Sequence, residues 1–152
     1  MTDSGPTLGS LTDSYVAAIQ HDLASLPPAS TLVGVVRRPT GWFHGAVDEN
    51  VPQLAPPAEL LEETKRAETD LKRRGICDEE AHNAAWDQVD FESRYEAHLD
   101  GSADAQAAID AIVDRLCHGE SITLVCFENT AKKRCHRTTL REHIAARLER
   151  TA

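Results

Sequence analysis

At 152 residues the chain is long enough for one domain with a buried core, and 41% of its residues are hydrophobic. Acidic residues outnumber basic residues by 25 to 16, and the resulting formal charge of −9 argues against duplex DNA as a partner for the surface as a whole. No apolar run reaches the length of a transmembrane helix and no signal peptide is recognisable, so we expect a cytoplasmic protein without a membrane association.

Two features of the composition indicate the expected environment. The four cysteines are irregularly spaced, unlike a disulfide framework, so we expect free thiols in a reducing compartment. Lysine is scarce, with four residues against twelve arginines. An acidic, lysine-poor surface is typical of proteins from a high-salt cytoplasm, although a GC-rich genome favours the same residues.

The N-terminal part of the chain predicts a tail, a helix and a strand. Residues 1–10 are small and polar and are expected to be disordered, which leaves 11–152 as a single domain. Apolar residues at helical spacing predict a helix over 12–26, which Pro27-Pro28 ends. The β-branched run TLVGVV, at 31–36, predicts a buried strand.

The middle of the chain predicts a long irregular segment and then helices. Residues 37–57 are rich in glycine, proline and asparagine, and only 42–47 and 51–54 are candidates for additional short strands. Helical periodicity then predicts elements over 57–74, 78–99 and 103–118. The second of these is compatible with one helix or two.

The C-terminal part predicts a second buried strand and a final helix. The apolar run 122–127 predicts the strand, and Thr139-Leu140-Arg141-Glu142 matches the capping-box pattern of a helix start. Two apolar strands separated by helical segments are expected to pair in parallel through right-handed crossovers. The predicted fold is therefore a single α/β domain, with a small and mostly parallel sheet flanked by helices.

Polar and sulfur-containing side chains follow both predicted strands. Arg37 and Arg38 leave the first strand, whereas the second ends in Cys126 and Glu128 and is followed by Cys135-His136-Arg137. Because the carboxyl ends of parallel strands lie at one edge of a sheet, we expect the two groups to form one site.

The basic residues of this site predict an anion as ligand. Arg37, Arg38 and Arg137 offer forked donors for a phosphate or carboxylate, and a helix that begins near Cys135 adds free N–H groups. The expected partner is an anionic small molecule, a nucleotide or a nucleic-acid phosphate. The alternative is structural: Glu128 pairs with one of the arginines, and the others lie solvated in a loop.

Three residues are candidates for catalysis. Cys135, at a helix N-terminus among cations, is a candidate nucleophile or redox group. Glu128 and His136 are candidates for proton transfer. Cys126 lies within an apolar run and is expected to be a core residue or a pocket wall. Trp42 is either a core residue or a cover for the ligand.

A zinc site is disfavoured by the spacing of Cys117-His118, Cys126 and Cys135-His136, because zinc ribbons and fingers use paired ligands two to four residues apart. The common nucleotide-binding, hydrolase and metalloprotease motifs do not occur in the sequence. We therefore expect neither a metal nor a cofactor. The other histidines, such as His82, are interpreted as surface or packing residues.

The element C-x-E followed by CHR, at Cys126-Phe127-Glu128 and Cys135-His136-Arg137, resembles the signature of the family called domain of unknown function 488. Residues 32–39 are similar to that family's early strand, and the similarity extends over 12–150, with the composition of a haloarchaeal-type member. The resemblance implies an α/β domain with a polar pocket. Many members carry an aspartate where this chain has Val35, which implies either binding without catalysis or reliance on Glu128.

Three functions are consistent with these residues. The leading hypothesis is an enzyme that acts on a nucleotide, a modified base or another phosphorylated compound, with the arginines holding the anion. The second is a non-catalytic module that binds a nucleotide or a nucleic-acid end, which fits the valine at position 35. The third is a thiol redox or metal-binding protein.

Overall fold

The structure, a computed structural model, describes residues 8–15, 29–37, 39, 41–126 and 135–151. Within them, four strands form one sheet in the order β1-β4-β2-β3, and every neighbouring pair is parallel. The strands are β1 (Leu11–Tyr15), β2 (Thr31–Gly34), β3 (Glu49–Asn50) and β4 (Ile122–Cys126). The predicted α/β fold with a parallel sheet is confirmed.

Strand β4 lies between β1 and β2, and all five of its residues are buried. A strand covered on both faces is typically a continuous apolar run, as this one is. Its register is the same on both sides, since Ile122 is level with Leu11 of β1 and with Thr31 of β2. The hydroxyl of buried Thr123 lies 2.8 Å from that of Thr12 and 2.7 Å from that of Ser30.

From residue 58 onward the helices of the described chain follow the predicted order, whereas the helix over 41–46 was not predicted. They are α1 (Gly41–Ala46), α2 (Ala58–Arg73), α3 (Asp78–Gln88), α4 (Phe91–Gly101), α5 (Ala103–Cys117) and α6 (His136–Thr151). Gly75 ends α2 with a φ of 92°, in the left-handed region that glycine adopts at helix ends. Asp90 separates α3 from α4 with a φ of 57°, so the segment 78–99 forms two helices.

The main core joins one face of the sheet to the helices. It includes Val33, Leu124, Leu99, Ile109, Ile112, Leu116, Leu140 and Ile144, all of them buried. On α5 and α6 these residues recur at spacings of three and four, which places them on one helical face. Burial of each such side chain stabilises the fold by roughly 1.5–3 kcal/mol. Phe43 and Val125 form a second, smaller core.

The predicted helix over 12–26 is wrong at its start, because residues 11–15 form β1. This strand pairs with β4 along its whole length, from Leu11 beside Ile122 to Tyr15 beside Cys126. Pairing with the edge of β4 is a tertiary interaction that outweighs local helical periodicity. The remainder of that prediction, 16–28, lies outside the described residues.

The segment 37–57 contains more regular structure than its composition predicts. The two candidate strands, 42–47 and 51–54, are largely helix α1 and a 3-10 turn at Pro52–Leu54, with β3 between them. Helix α1 forms because it buries Phe43 completely. A Cβ on Gly34 would lie 2.5 Å from the Phe43 ring, so only glycine leaves room for it on β2.

The final helix begins one turn earlier than the capping-box pattern predicts. Helix α6 starts at His136, so Thr139 lies inside it and Cys135 directly precedes it. Contacts of the Arg137 side chain with β1, described below, hold this first turn against the sheet. Among the described residues, no helix combines the length and the hydropathy needed to cross a membrane.

Candidate active site

A cleft of about 460 Å³ opens at the carboxyl ends of β2 and β4. Arg37, Cys126, Cys135 and His136 all line it. Adjacent parallel strands bring their carboxyl ends together, and α6 begins at the same edge of the sheet. The structure therefore brings together four of the residues that the sequence assigned to one site.

Arg37 is held against the turn that precedes α2. Its Nε donates a hydrogen bond to Pro56 O at 2.6 Å, and its Nη2 donates one to Ala55 O at 3.1 Å. A guanidinium has five N–H donors, and these are the two that Arg37 uses within the described residues. The side chain is thus fixed in direction, and three of its five donors are without a hydrogen bond to other described residues.

Asn50, which closes β3, positions the chain that carries Arg37. Its Oδ1 accepts a hydrogen bond from Val36 N at 3.1 Å, and its Nδ2 donates one to Val36 O at 2.9 Å. This amide side chain continues the hydrogen-bond ladder of β2 beyond the last strand residue. The backbone next to Arg37 is consequently fixed on both its donor and its acceptor side.

Aromatic rings form one wall of the cleft. Trp86 and Phe91 are stacked, with ring centroids 3.9 Å apart and planes inclined by 17°. The row continues through buried Tyr95, whose ring meets that of His136 edge to face at 5.5 Å. Leu61 adds an exposed aliphatic side chain to the lining. Such a wall suits a planar or apolar group of a ligand.

Cys135 and His136 lie next to each other at the start of α6, with their side chains in contact. Cys135 Sγ lies 3.7 Å from His136 Nδ1. The other ring nitrogen, Nε2, lies 2.6 Å from Val35 O, and because a carbonyl oxygen only accepts, Nε2 carries the proton of the neutral ring. Nδ1 is then the free base that faces the thiol.

The environment keeps His136 neutral at physiological pH. Burial of the imidazole lowers its pKa to about 4, and the positive charges of Arg137 and Arg37 act in the same direction. The hydrogen bond to Val35 O opposes this shift because it favours the protonated ring. His136 is therefore neutral, with an unprotonated Nδ1 that faces Cys135.

The sulfur of Cys126 lies within bonding distance of that of Cys135. This contact differs from the expected set of independent free thiols, whereas Cys77 and Cys117 are free as expected. The structure thus joins Cys126 and Cys135 in a disulfide bond, and the roles considered below are those of the reduced form, in which both residues are thiols.

Arg137 is buried and ties α6 to the sheet. Its guanidinium contacts Asp13 Oδ1 at 3.3 Å, donates to Ser14 O, and donates to Cys126 Sγ at 3.1 Å. Burial lowers the pKa of Arg137 and the charge of Asp13 raises it. These contacts favour a positioning role for Arg137, in contrast to the anion-binding role predicted from the sequence.

Cys135 also borders a second cleft of about 510 Å³. The two clefts share Trp86, Phe91 and Cys135, so the aromatic stack separates them. The second cleft is acidic, with Asp87, Asp90 and Glu92 in its lining. The lining of the first cleft is mixed, with Arg37 and Lys65 beside Glu62 and Glu68.

Several predicted site residues lie outside the described part of the chain. Glu128, Arg38 and the side chain of Trp42 belong to this group, so their predicted roles remain predictions. Within the described residues, no group of three or more His, Cys, Asp or Glu side chains is arranged to hold a metal ion.

Sequence reasoning missed four residues that support the site. Asp13 fell inside the predicted helix, Asn50 inside the irregular segment, and Val35 acts through a main-chain atom that no motif reveals. His82, interpreted as a surface or packing residue, is buried in the cleft wall, where its Nδ1 lies 3.0 Å from Glu68 Oε2. Only its helical spacing of four from Trp86 pointed to this face.

The fold and the site together define a small α/β domain with a cysteine and histidine pair beside an arginine at the carboxyl edge of a parallel sheet. A family model described as the active DUF488-N3 subclade matches residues 16–148, and the chain belongs to the domain of unknown function 488 family. No curated protein and no solved structure gives a significant match.

Proposed function

We propose that the protein is an enzyme that uses Cys135 as its nucleophile on a nucleotide, a modified base or another phosphorylated compound. The observation that carries this proposal is the 3.7 Å contact between Cys135 Sγ and His136 Nδ1 at the wall of the Arg37 cleft. A nucleophile beside a base that a third group orients is the arrangement of thiol-dependent enzymes.

The first chemical step is a proton transfer. Cys135 gives its thiol proton to His136 Nδ1, and the imidazolium keeps its Nε2–H bond to Val35 O. The thiolate lies at the N-terminus of α6, where the free N–H groups stabilise a negative charge. It then forms a bond to an electrophilic atom of the ligand while the bond between that atom and the departing group breaks, and Nδ1–H gives the departing group its proton.

The cleft supports a ligand that combines an anion with a ring. Arg37 provides fixed guanidinium donors for a phosphate or carboxylate, and Trp86 with Phe91 provides a flat apolar surface. The acidic lining of the second cleft disfavours a ligand orientation that would place the anion there. Nucleotides and phosphorylated bases carry both groups on one molecule, which is the reason for naming this substrate class.

The residues outside the described chain enter the proposal with the roles predicted from the sequence. Glu128 serves as a second proton-transfer group, Arg38 adds a cation to the anion site and Trp42 covers the ligand. We further propose a cytoplasmic protein adapted to high salt, of the haloarchaeal type, on the strength of its charge of −9 and its scarcity of lysine.

The test is a thermal-shift screen of wild type, Arg37→Ala and Arg66→Ala against nucleotides, nucleosides, phosphosugars and short oligonucleotides. A true ligand raises the melting temperature by mass action, and the shift disappears in Arg37→Ala. Arg66, an exposed arginine of α2 outside the cleft lining, is the matched control and keeps the shift.

Turnover of each hit separates catalysis from binding. Wild type is expected to convert the ligand, whereas Cys135→Ser binds it without turnover. Binding by wild type with no turnover would instead favour a non-catalytic module for a nucleotide or nucleic-acid end. A panel in which no anion binds would overturn the proposal.

A further inference from the structure

We infer that Cys135 is a site of reversible oxidation and that Cys126 is the thiol that resolves the oxidised form into a disulfide. While the Cys126–Cys135 bond persists, Cys135 cannot act as a nucleophile, and this consequence for activity rests on the proposed function. The chemistry of the two sulfurs does not, because it depends only on their placement.

The first observation is the proximity of the two sulfurs. Cys126 ends β4 and Cys135 precedes α6, so the fold brings together two residues that are nine positions apart. Both line the same cleft, which gives a small oxidant access to them. Their relative exposures are 2% and 4%, so both sulfurs are reached through the cleft rather than from the outer surface.

The second observation is that the two sulfurs have different polar partners. Arg137 Nη1 donates to Cys126 Sγ at 3.1 Å, and a cation in this position favours a thiolate. His136 Nδ1 is the base beside Cys135. The two sulfurs thus lie in different polar surroundings, Cys126 beside a guanidinium and Cys135 beside a neutral imidazole at a helix N-terminus.

The oxidation balances with a hydroperoxide as the oxidant. The Cys135 thiolate attacks the peroxide, an S–O bond forms as the O–O bond breaks, and the alcohol or water leaves with one proton. The Cys126 thiolate then attacks the sulfur of this sulfenic acid, an S–S bond forms and the S–O bond breaks, and hydroxide leaves as water after taking a proton. Two thiols lose two electrons in total, and an external dithiol returns them by exchange.

The alternative fate of the sulfenic acid defines the experiment. Without a resolving thiol, further peroxide carries Cys135 to sulfinic and sulfonic acids, which dithiols do not reduce. Reduced wild type, Cys126→Ser, Cys126→Ala and Cys117→Ser are therefore treated with hydrogen peroxide at a small molar excess. Intact mass and peptide mapping without reduction are recorded before and after dithiothreitol.

Wild type and Cys117→Ser are expected to lose two mass units in a Cys126–Cys135 bond that dithiothreitol restores fully. The Cys126 variants are expected to gain oxygen on Cys135 that dithiothreitol does not remove. Over-oxidation of Cys135 in wild type without a bond to Cys126, or a bond that involves Cys77 or Cys117 instead, would overturn the inference.

The wild-type measurement stands without the variants, so a Cys126 variant that fails to fold does not hide the result. The readout is mass alone and needs no substrate. A protein that forms the bond but binds no anion would retain this inference and lose the proposed function. A protein that turns over a ligand but forms no Cys126–Cys135 bond would retain the proposed function and lose this inference.

Discussion

Val35 shows how one residue can serve the site without a functional side chain. Its side chain is fully buried in the core, while its carbonyl oxygen accepts the Nε2–H bond of His136. The resemblance to the family implied that an aspartate is often found here, and the valine implied either binding without catalysis or reliance on Glu128. The main-chain oxygen offers His136 an orienting partner that any residue at position 35 would supply.

The pKa of His136 predicts how the stability of the fold depends on pH. The folded protein holds this pKa at about 4, below the ordinary value of 6.5, so the unfolded chain binds the proton more tightly. The stabilisation is complete above pH 6.5 and is lost as the pH falls toward 4. Each pKa unit corresponds to about 1.4 kcal/mol, so this one group is expected to make the free energy of unfolding about 3 kcal/mol higher above pH 6.5 than below pH 4.

Urea unfolding of wild type and His136→Gln between pH 4 and pH 7.5 measures this contribution. The difference in unfolding free energy between the two proteins is expected to widen as the pH rises through this window and then to level off. A difference that stays constant with pH would contradict the neutral, buried state of His136.

Asp13 is predicted to stabilise the fold through its contact with the buried guanidinium of Arg137. Arg137 is 1% exposed, so Asp13→Ala leaves a buried guanidinium without its carboxylate and is expected to cost about 3–5 kcal/mol of unfolding free energy. Asp13 also pairs at 3.1 Å with Arg141, which is 45% exposed. Arg141→Ala removes that exposed pair and is expected to cost less than about 1 kcal/mol. Equal losses in chemical denaturation would show that Arg137 is not anchored by Asp13.

At the scale of elements, the backbone that follows β2 and the first turn of α6 determine the geometry of the site. Asn50 fixes the backbone that follows β2, and Arg137 fixes the first turn of α6 against β1. Both contacts join segments that are far apart in sequence. The cleft therefore depends on the packing of these two elements rather than on any single motif.

The close packing of β2 against α1 gives a prediction with a matched control. In Gly34→Ala the new Cβ would lie 2.5 Å from Phe43 Cε1 and 2.6 Å from Asn50 Oδ1, which is overpacking of a kind that costs about 1–3 kcal/mol. A Cβ on Gly45, in α1, meets nothing within 4 Å. Gly45→Ala is expected to be neutral or slightly stabilising. Thermal unfolding of both variants checks this, and similar melting temperatures would contradict the packing described.

The sequence predicted those elements whose signals are local and strong. The strands β2 and β4 and the convergence of Arg37 with Cys135 follow from β-branched residues and parallel topology. The edge strand β1 was missed, because its polar residues gain their place only by pairing with β4. The partners of His136 and Arg137 were missed because they are main-chain oxygens or distant carboxylates.

At the scale of the whole molecule, the charge of −9 is spread over a protein of 152 residues. Like charges on a compact surface repel each other. Dissolved salt shortens the range of that repulsion, to roughly 3 Å at 1 M. We therefore expect the melting temperature to rise between 0.1 M and 2 M KCl. Sucrose, an uncharged stabiliser, is the control, and a rise with sucrose but not with KCl would contradict adaptation to high salt.

His136 is proposed to activate Cys135 inside the Arg37 cleft. The first measurement to make is the rate at which iodoacetamide alkylates each cysteine of the reduced protein near neutral pH, mapped by mass spectrometry, in wild type and His136→Gln. Cys135 is expected to react faster than the exposed Cys77 in wild type and more slowly than Cys77 in His136→Gln, with the rate of Cys77 unchanged. A Cys135 that reacts no faster than Cys77, or at the same rate in both proteins, would contradict this proposal.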